Sequence, residues 1–161
     1  LSWHVIHAVA NISGRLVTHS WVHIMKETEQ DSTAVAAIVE HALTDMHTMG
    51  ITGVHMRSDN AGYYHSSALI GSLPSIAAKT KVKILSWSFS EAQAGKAASD
   101  RIASFVKRKM RSYKDAMHNV ITPEEMFYAI NATKQLRGVS VYVANVVEEK
   151  KSTTKIPHIS D

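Results

Sequence analysis

Val54-His55-Met56-Arg57-Ser58-Asp59-Asn60-Ala61-Gly62-Tyr63-Tyr64-His65 is the stretch that decides the fold: a strand-forming run that ends in a carboxylate, an amide and a glycine. In open α/β sheets ligands collect beyond the carboxyl ends of strands, which makes Asp59 and Asn60 candidate site residues. The same residue types are those that turns use most, so the segment also reads as a plain turn. Glu91 favours the site, because it stands at a later helix start from which a second carboxylate can reach the same region.

Upstream, Ser2 to Val9 and Leu16 to Lys26 are rich in Val, Ile, Trp and Thr, and Asn11-Ile12-Ser13-Gly14 between them carries turn residues. Together they predict an antiparallel hairpin. His19, Trp21 and His23 fall on one face of its second strand. No Cys or carboxylate completes a metal-ligand set there, so partly exposed sheet histidines are expected. Asp31 or Ser32 can cap a helix running to about Met49, with Val35, Ile38, Val39, Ala42, Leu43 and Met46 at helical spacing and Gly50 closing it. Ile51 to Ser58 then returns as a strand, and strand-helix-strand order favours a parallel crossover.

Downstream, Ser66 to Ala78 reads as a short helix broken near Pro74, followed by a strand from Val82 to Trp87. Ser90-Glu91-Ala92-Gln93 has the form of a capping box that opens a helix to about Lys114. At about 100° per residue, Ala98, Ile102, Phe105 and Val106 gather on one side, and Glu91 lies within that arc, facing the sheet. Asp100 falls on the opposite side beside Lys96, Lys107, Arg111 and Lys114, as a surface ion-pair partner would. Thr122-Pro123-Glu124-Glu125 is a second capping box, predicting a helix to about Leu136. Val139 to Val147 forms a last strand.

The 161 residues suit one domain with a real core, here 1–147, followed by a polar tail, 148–161. No apolar run reaches the roughly 18 residues of a membrane span, and no signal peptide is recognisable. The absence of cysteine removes disulfides and thiolate metal sites and fits an intracellular protein. The chain opens on strand-like sequence at Leu1, which suggests a fragment. Its net charge of +4 is unevenly spread. Leu1 to Asn60 holds three basic and six acidic residues, whereas Lys79 to Lys114 holds ten basic and two acidic. Lys96, Arg101, Lys107, Arg108, Arg111 and Lys114 therefore form a candidate phosphate-contacting face for DNA or RNA, with a solvated basic helix as the plainer alternative. No membrane partner is expected, and whether the chain is a monomer or a homo-oligomer stays open.

Two carboxylates at a strand end and a helix start, Asp59 and Glu91, can bind a hard divalent cation such as Mg²⁺ or Mn²⁺. With a third they can hold two ions about 4 Å apart, the arrangement that cleaves phosphodiesters. Asn60 can orient a water or a phosphate. The segments Arg57 to His65, Phe89-Ser90-Glu91-Ala92-Gln93-Ala94-Gly95-Lys96 and Ser99-Asp100-Arg101, with the opening Leu1-Ser2-Trp3-His4, resemble a group of transposon-derived animal proteins that often carry C2H2 zinc fingers. More distantly the order of elements is similar to the integrase core of retroviral integrases and DDE transposases. That resemblance implies an α/β, RNase H-like mixed sheet, an N-terminal hairpin plus parallel strands, flanked by helices. It also implies Asp59 and Glu91 as catalytic metal ligands, with Asp100 an alternative third acid, and a nuclear place of action. The integrase fold has a further central strand bearing the first catalytic aspartate, so the resemblance implies that this strand lies upstream of Leu1 and that catalysis belongs to the full-length form. Three functions compete: an active transposase-like core, a domesticated inactive domain that binds nucleic acid or protein, and an unrelated α/β enzyme with Asp59 or His65 as general base.

Overall fold

The computed structural model describes residues 2–26, 32–59, 61–62, 64–90, 98–147 and 158–160. It is a mixed α/β structure that divides into two compact units, Leu1–Thr28 with Lys96–Asn145 and Ser160–Asp161, and Glu29–Gly95 with Val146–Ile159.

In the first unit β1 (Ser2–Ile12) and β2 (Arg15–Met25) pair antiparallel along their whole length. The connection is just Ser13 and Gly14, at φ +52° and +78°. Positive φ at both positions gives the two-residue turn whose twist matches a hairpin, so the strands run further than the composition of Asn11-Ile12 suggests. β5 (Val139–Val147), with the bounds expected from sequence, adds to the other edge of β2 in parallel, and the sheet order is β1-β2-β5-β6 with β6 at His158–Ser160. On one face Trp3, Ile24 and Val143 lie in register, as do Val5, Val22 and Val141. This face packs on Ile102, Val106 and Met110 of α3 (Ala98–Asp115) and on Met126, Ala129 and Ile130 of α4 (Pro123–Asn131). Each fully buried Val, Ile or Met side chain contributes roughly 1.5–3 kcal/mol.

Flanked on both edges, β2 is buried on both faces from Ser20 to Met25. The expectation of partly exposed histidines therefore fails at His23, which is fully buried and stacks on Tyr142 at 5.7 Å. His19 is half-buried, with its Nε2 hydrogen-bonded to Ser140 Oγ at 2.8 Å.

The capping box at Thr122 forms in full: Glu125 N donates to Thr122 Oγ1, and Glu125 Oε2 accepts from the amides of Thr122 and Ile121. These amides hold the Glu125 carboxyl below its ordinary range. α4 stops at Asn131 rather than Leu136, and just beyond it Lys109 of α3 donates to the Thr133 hydroxyl and the Lys134 carbonyl.

The second unit contains α1 (Ser32–Thr48), β3 (Gly53–Asp59), α2 (Ser67–Thr80) and β4 (Lys83–Ser90). α1 ends at Gly50 in the left-handed region, as expected. β3 and β4 pair in parallel as a separate two-stranded sheet, so the crossover runs through α2 and the expected β2-α1-β3 pairing does not form. α2 is continuous through Pro74 rather than broken. Pro74 frees the carbonyl of Ile70, and both residues sit on the exposed side of the helix, where water can satisfy that carbonyl. Leu69 and Ile76 bury the opposite side, and Lys79 pairs with Glu40 of α1 at 3.6 Å.

Gly138, just before β5, has φ +70°, and a Cβ there would meet the Thr18 carbonyl oxygen at 3.0 Å while Ser20 N donates to Gly138 O at 2.7 Å. Gly138→Ala should therefore lower unfolding stability by about 1–2 kcal/mol, measured by urea denaturation, since left-handed φ alone is that costly for an L-residue.

Candidate nucleic-acid interface

At the carboxyl end of β3, Asp59 is exposed and stands in register with Ser90 of β4. Its Oδ1 accepts a hydrogen bond from the Ala61 amide at 3.1 Å, the contact of an Asx turn. Asn60, Glu91 and Lys96, along with Glu91-Ala92-Gln93 of the expected capping box, lie outside the described residues. Asp100 is exposed in the first turn of α3, in the other unit from Asp59. Among the described residues no group of three His, Asp or Glu side chains is placed to hold a metal ion. Of the two expected carboxylate ligands, Asp59 is described and Glu91 lies outside the described residues. His65 rests edge-on against Phe89 at 5.1 Å, and Trp87 Nε1 donates to Ser58 Oγ at 2.9 Å, so the aromatic residues around this strand end pack on one another.

α3 carries the strongest charge pattern in the described chain. Ile102, Val106, Met110 and Tyr113 make the stripe that packs on the sheet, and the arc facing away is cationic. Arg101, Lys107, Arg108, Arg111 and Lys114 are all exposed there, with Asp100 and Asp115 the acids on the same helix. At about 100° per residue, Lys107, Arg111 and Lys114 share one flank of the exposed arc, while Arg101 and Arg108 share the other. Long cationic side chains along one helix face are the residue type that contacts backbone phosphates without reading bases.

Sequence reasoning missed the residues on the α4 side of this helix. Phe105, Lys109 and Tyr113 recur every fourth residue, a signal that aromatic and basic side chains share one face. His118 joins them only through a backbone turn.

A family model described as a domain of unknown function, DUF8701, matches residues 1–160. The chain belongs to this family. No curated protein and no solved structure matches it. For this DUF8701 chain, no helix among the described residues is long and apolar enough to cross a membrane.

The start of α3 also touches the chemistry of the sheet. His7 Nδ1 is hydrogen-bonded to Ser20 Oγ at 2.7 Å, and burial, with smaller contributions from the Arg101 and His19 charges, lowers its pKa. A histidine depressed in this way stabilises the fold above the unfolded-state value of about 6.5 and loses that contribution as pH falls through the folded value. Melting temperature should therefore drop as pH is lowered from 7.5 to 5.5. His7→Gln should make that pH dependence shallower.

Proposed function

We propose that this chain binds nucleic acid through the exposed arc of α3, as a sequence-tolerant phosphate-contacting surface. The observation that carries the reading is the run of five exposed cations on one helix whose other side is anchored in the core of its unit. An anchored helix holds its charges in a fixed array, so each contact releases counterions at little further entropic cost. DNA is the first candidate partner and RNA the second, which fits a nuclear protein of transposon origin. The RNase H-like architecture belongs to the same proposal, supported by an antiparallel hairpin in one unit and a parallel strand pair crossed over by a helix in the other. The interior position of β2, with β5 on its outer edge, departs from that pattern.

Binding of a labelled duplex, measured by fluorescence anisotropy over a range of salt, tests the reading. Lys107→Gln, Arg111→Gln and Lys114→Gln together should reduce the slope of log K against log salt by roughly 2–3, at about 0.9 per lost phosphate contact. An unchanged slope removes this face from the interface.

A second reading, phosphodiester cleavage in the manner of DDE transposases, is favoured by one observation, the exposed Asp59 at the carboxyl end of a parallel strand pair. The expected outcome under that reading is cleavage of DNA with Mg²⁺ or Mn²⁺ that disappears in Asp59→Asn. Absence of cleavage by the wild-type full-length form, or its persistence when that form carries Asp59→Asn, leaves the binding function alone.

A further inference from the structure

Between α3 and α4 lies a groove of about 440 Å³, within the range of small-molecule sites, roughly 300–1,000 Å³. It lies wholly within the first unit and on the flank of α3 away from Lys107, Arg111 and Lys114. Ala129 and Ala132 of α4 are small enough to leave the space open, and Phe105 and Tyr113 of α3 give it aromatic walls. Three features give the groove a chemical identity.

The first is a ready-made stack. α3 ends in a motif in which Met117 N donates to Lys114 O at 2.9 Å and His118 N to Tyr113 O at 3.3 Å, with Met117 at φ +67°. These are the paired bonds of a Schellman turn, and they fold the chain back on the helix. His118 is thereby laid on Tyr113, with ring centres 4.3 Å apart and planes 18° from parallel. The Met117 side chain is 95% exposed, so packing does not account for a non-glycine residue in this backbone conformation.

The second is the division of labour between two neighbouring cations. Lys109 lies over the Phe105 ring at 5.3 Å and donates to Thr133 and the Lys134 carbonyl, so its charge is committed to holding α3 and the end of α4 together. Arg108, also lining the groove, is exposed and makes no ion pair among the described residues. The third is placement: Arg108 and Tyr113, five residues apart on α3, both line the groove, with about 7.5 Å of axial rise between them at 1.5 Å per residue.

We propose that this groove receives one unpaired nucleotide of a single-stranded nucleic acid, its base extending the Tyr113–His118 stack and its phosphate at Arg108. The inference rests on the nucleic-acid reading above and narrows it to strands with accessible bases. A duplex keeps its bases stacked inside and engages only the phosphate-contacting flank. Stacking is sequence-tolerant because every base has a π-face, so preference for single strands, rather than for a sequence, is the signature.

The test is anisotropy of labelled oligo-dT and of a duplex of equal length with the whole chain. His118 is exposed, so His118→Ala leaves the core intact, whereas Tyr113 also packs on the sheet and is left unaltered. His118→Ala should weaken oligo-dT binding roughly 5- to 100-fold, the worth of one stacked base, and leave duplex binding unchanged. His118→Phe should restore it, and Arg108→Gln should weaken oligo-dT binding more than Lys107→Gln does. Wild-type affinity for oligo-dT in His118→Ala, or an equal loss for oligo-dT and duplex, overturns the groove while the α3 phosphate face stands. If oligo-dT fails to bind and duplex binds, the groove alone is wrong; if neither binds, both readings fall. Thymidine monophosphate competing as strongly as the oligonucleotide would overturn the strand assignment in favour of a free-nucleotide site.

Discussion

A strand in the interior of a sheet has neighbours on both edges, and β2, between β1 and β5, is such a strand here. Its pairing with β1 is local, set by a two-residue turn, but its pairing with β5 joins segments more than a hundred residues apart in the chain. Ser20 to Met25 are also buried on both faces, and polar members of that run must find hydrogen-bond partners there. Val22 and Ile24 then present one face to α3 and α4. The orientation of α3, and with it the direction in which its cations point, follows from that packing.

α3 serves two surfaces because its buried stripe is narrow. Val106 is its one fully buried residue, and the half-buried Phe105, Lys109 and Tyr113 form the border between core and groove. A helix more apolar than this would have closed over α4 and filled the space. The alanines of α4 and the committed ammonium of Lys109 keep the two helices together without filling it.

Several local signals in the sequence were read faithfully, although the break at Pro74 and the extent of α4 were not. The Thr122 capping box, the Gly50 stop and the bounds of β5 need only neighbouring residues to specify them, and each is found. Pairing between distant strands is different. Nothing in Ile51 to Asp59 says which strand it will lie against, so the crossover was assigned to α1 when it belongs to α2. His23 illustrates the same limit: alternation places it on a face, but not that this face is buried or that Tyr142 of β5 stacks there. The basic character of α3 was legible from composition, whereas the His118 stack depends on a left-handed Met117 that no pattern of polar and apolar residues encodes. Asp59 was legible as the end of a strand, and its hydrogen bond to Ala61 supplies the turn that its residue type also predicted.

The first unit is discontinuous in sequence, its hairpin separated from α3, α4 and β5 by Glu29–Gly95 of the second. The β1–β2 ribbon can zip within microseconds of leaving the ribosome, but it presents an open edge until β5 has been synthesised. During that interval the eleven-residue β2 is a vacant template for pairing with another nascent chain. Early compaction of the intervening segment would bring the two ends closer and shorten the entropic span that β5 has to close. Biogenesis thus imposes its own demand: the middle of the polypeptide should collapse before its last strand arrives.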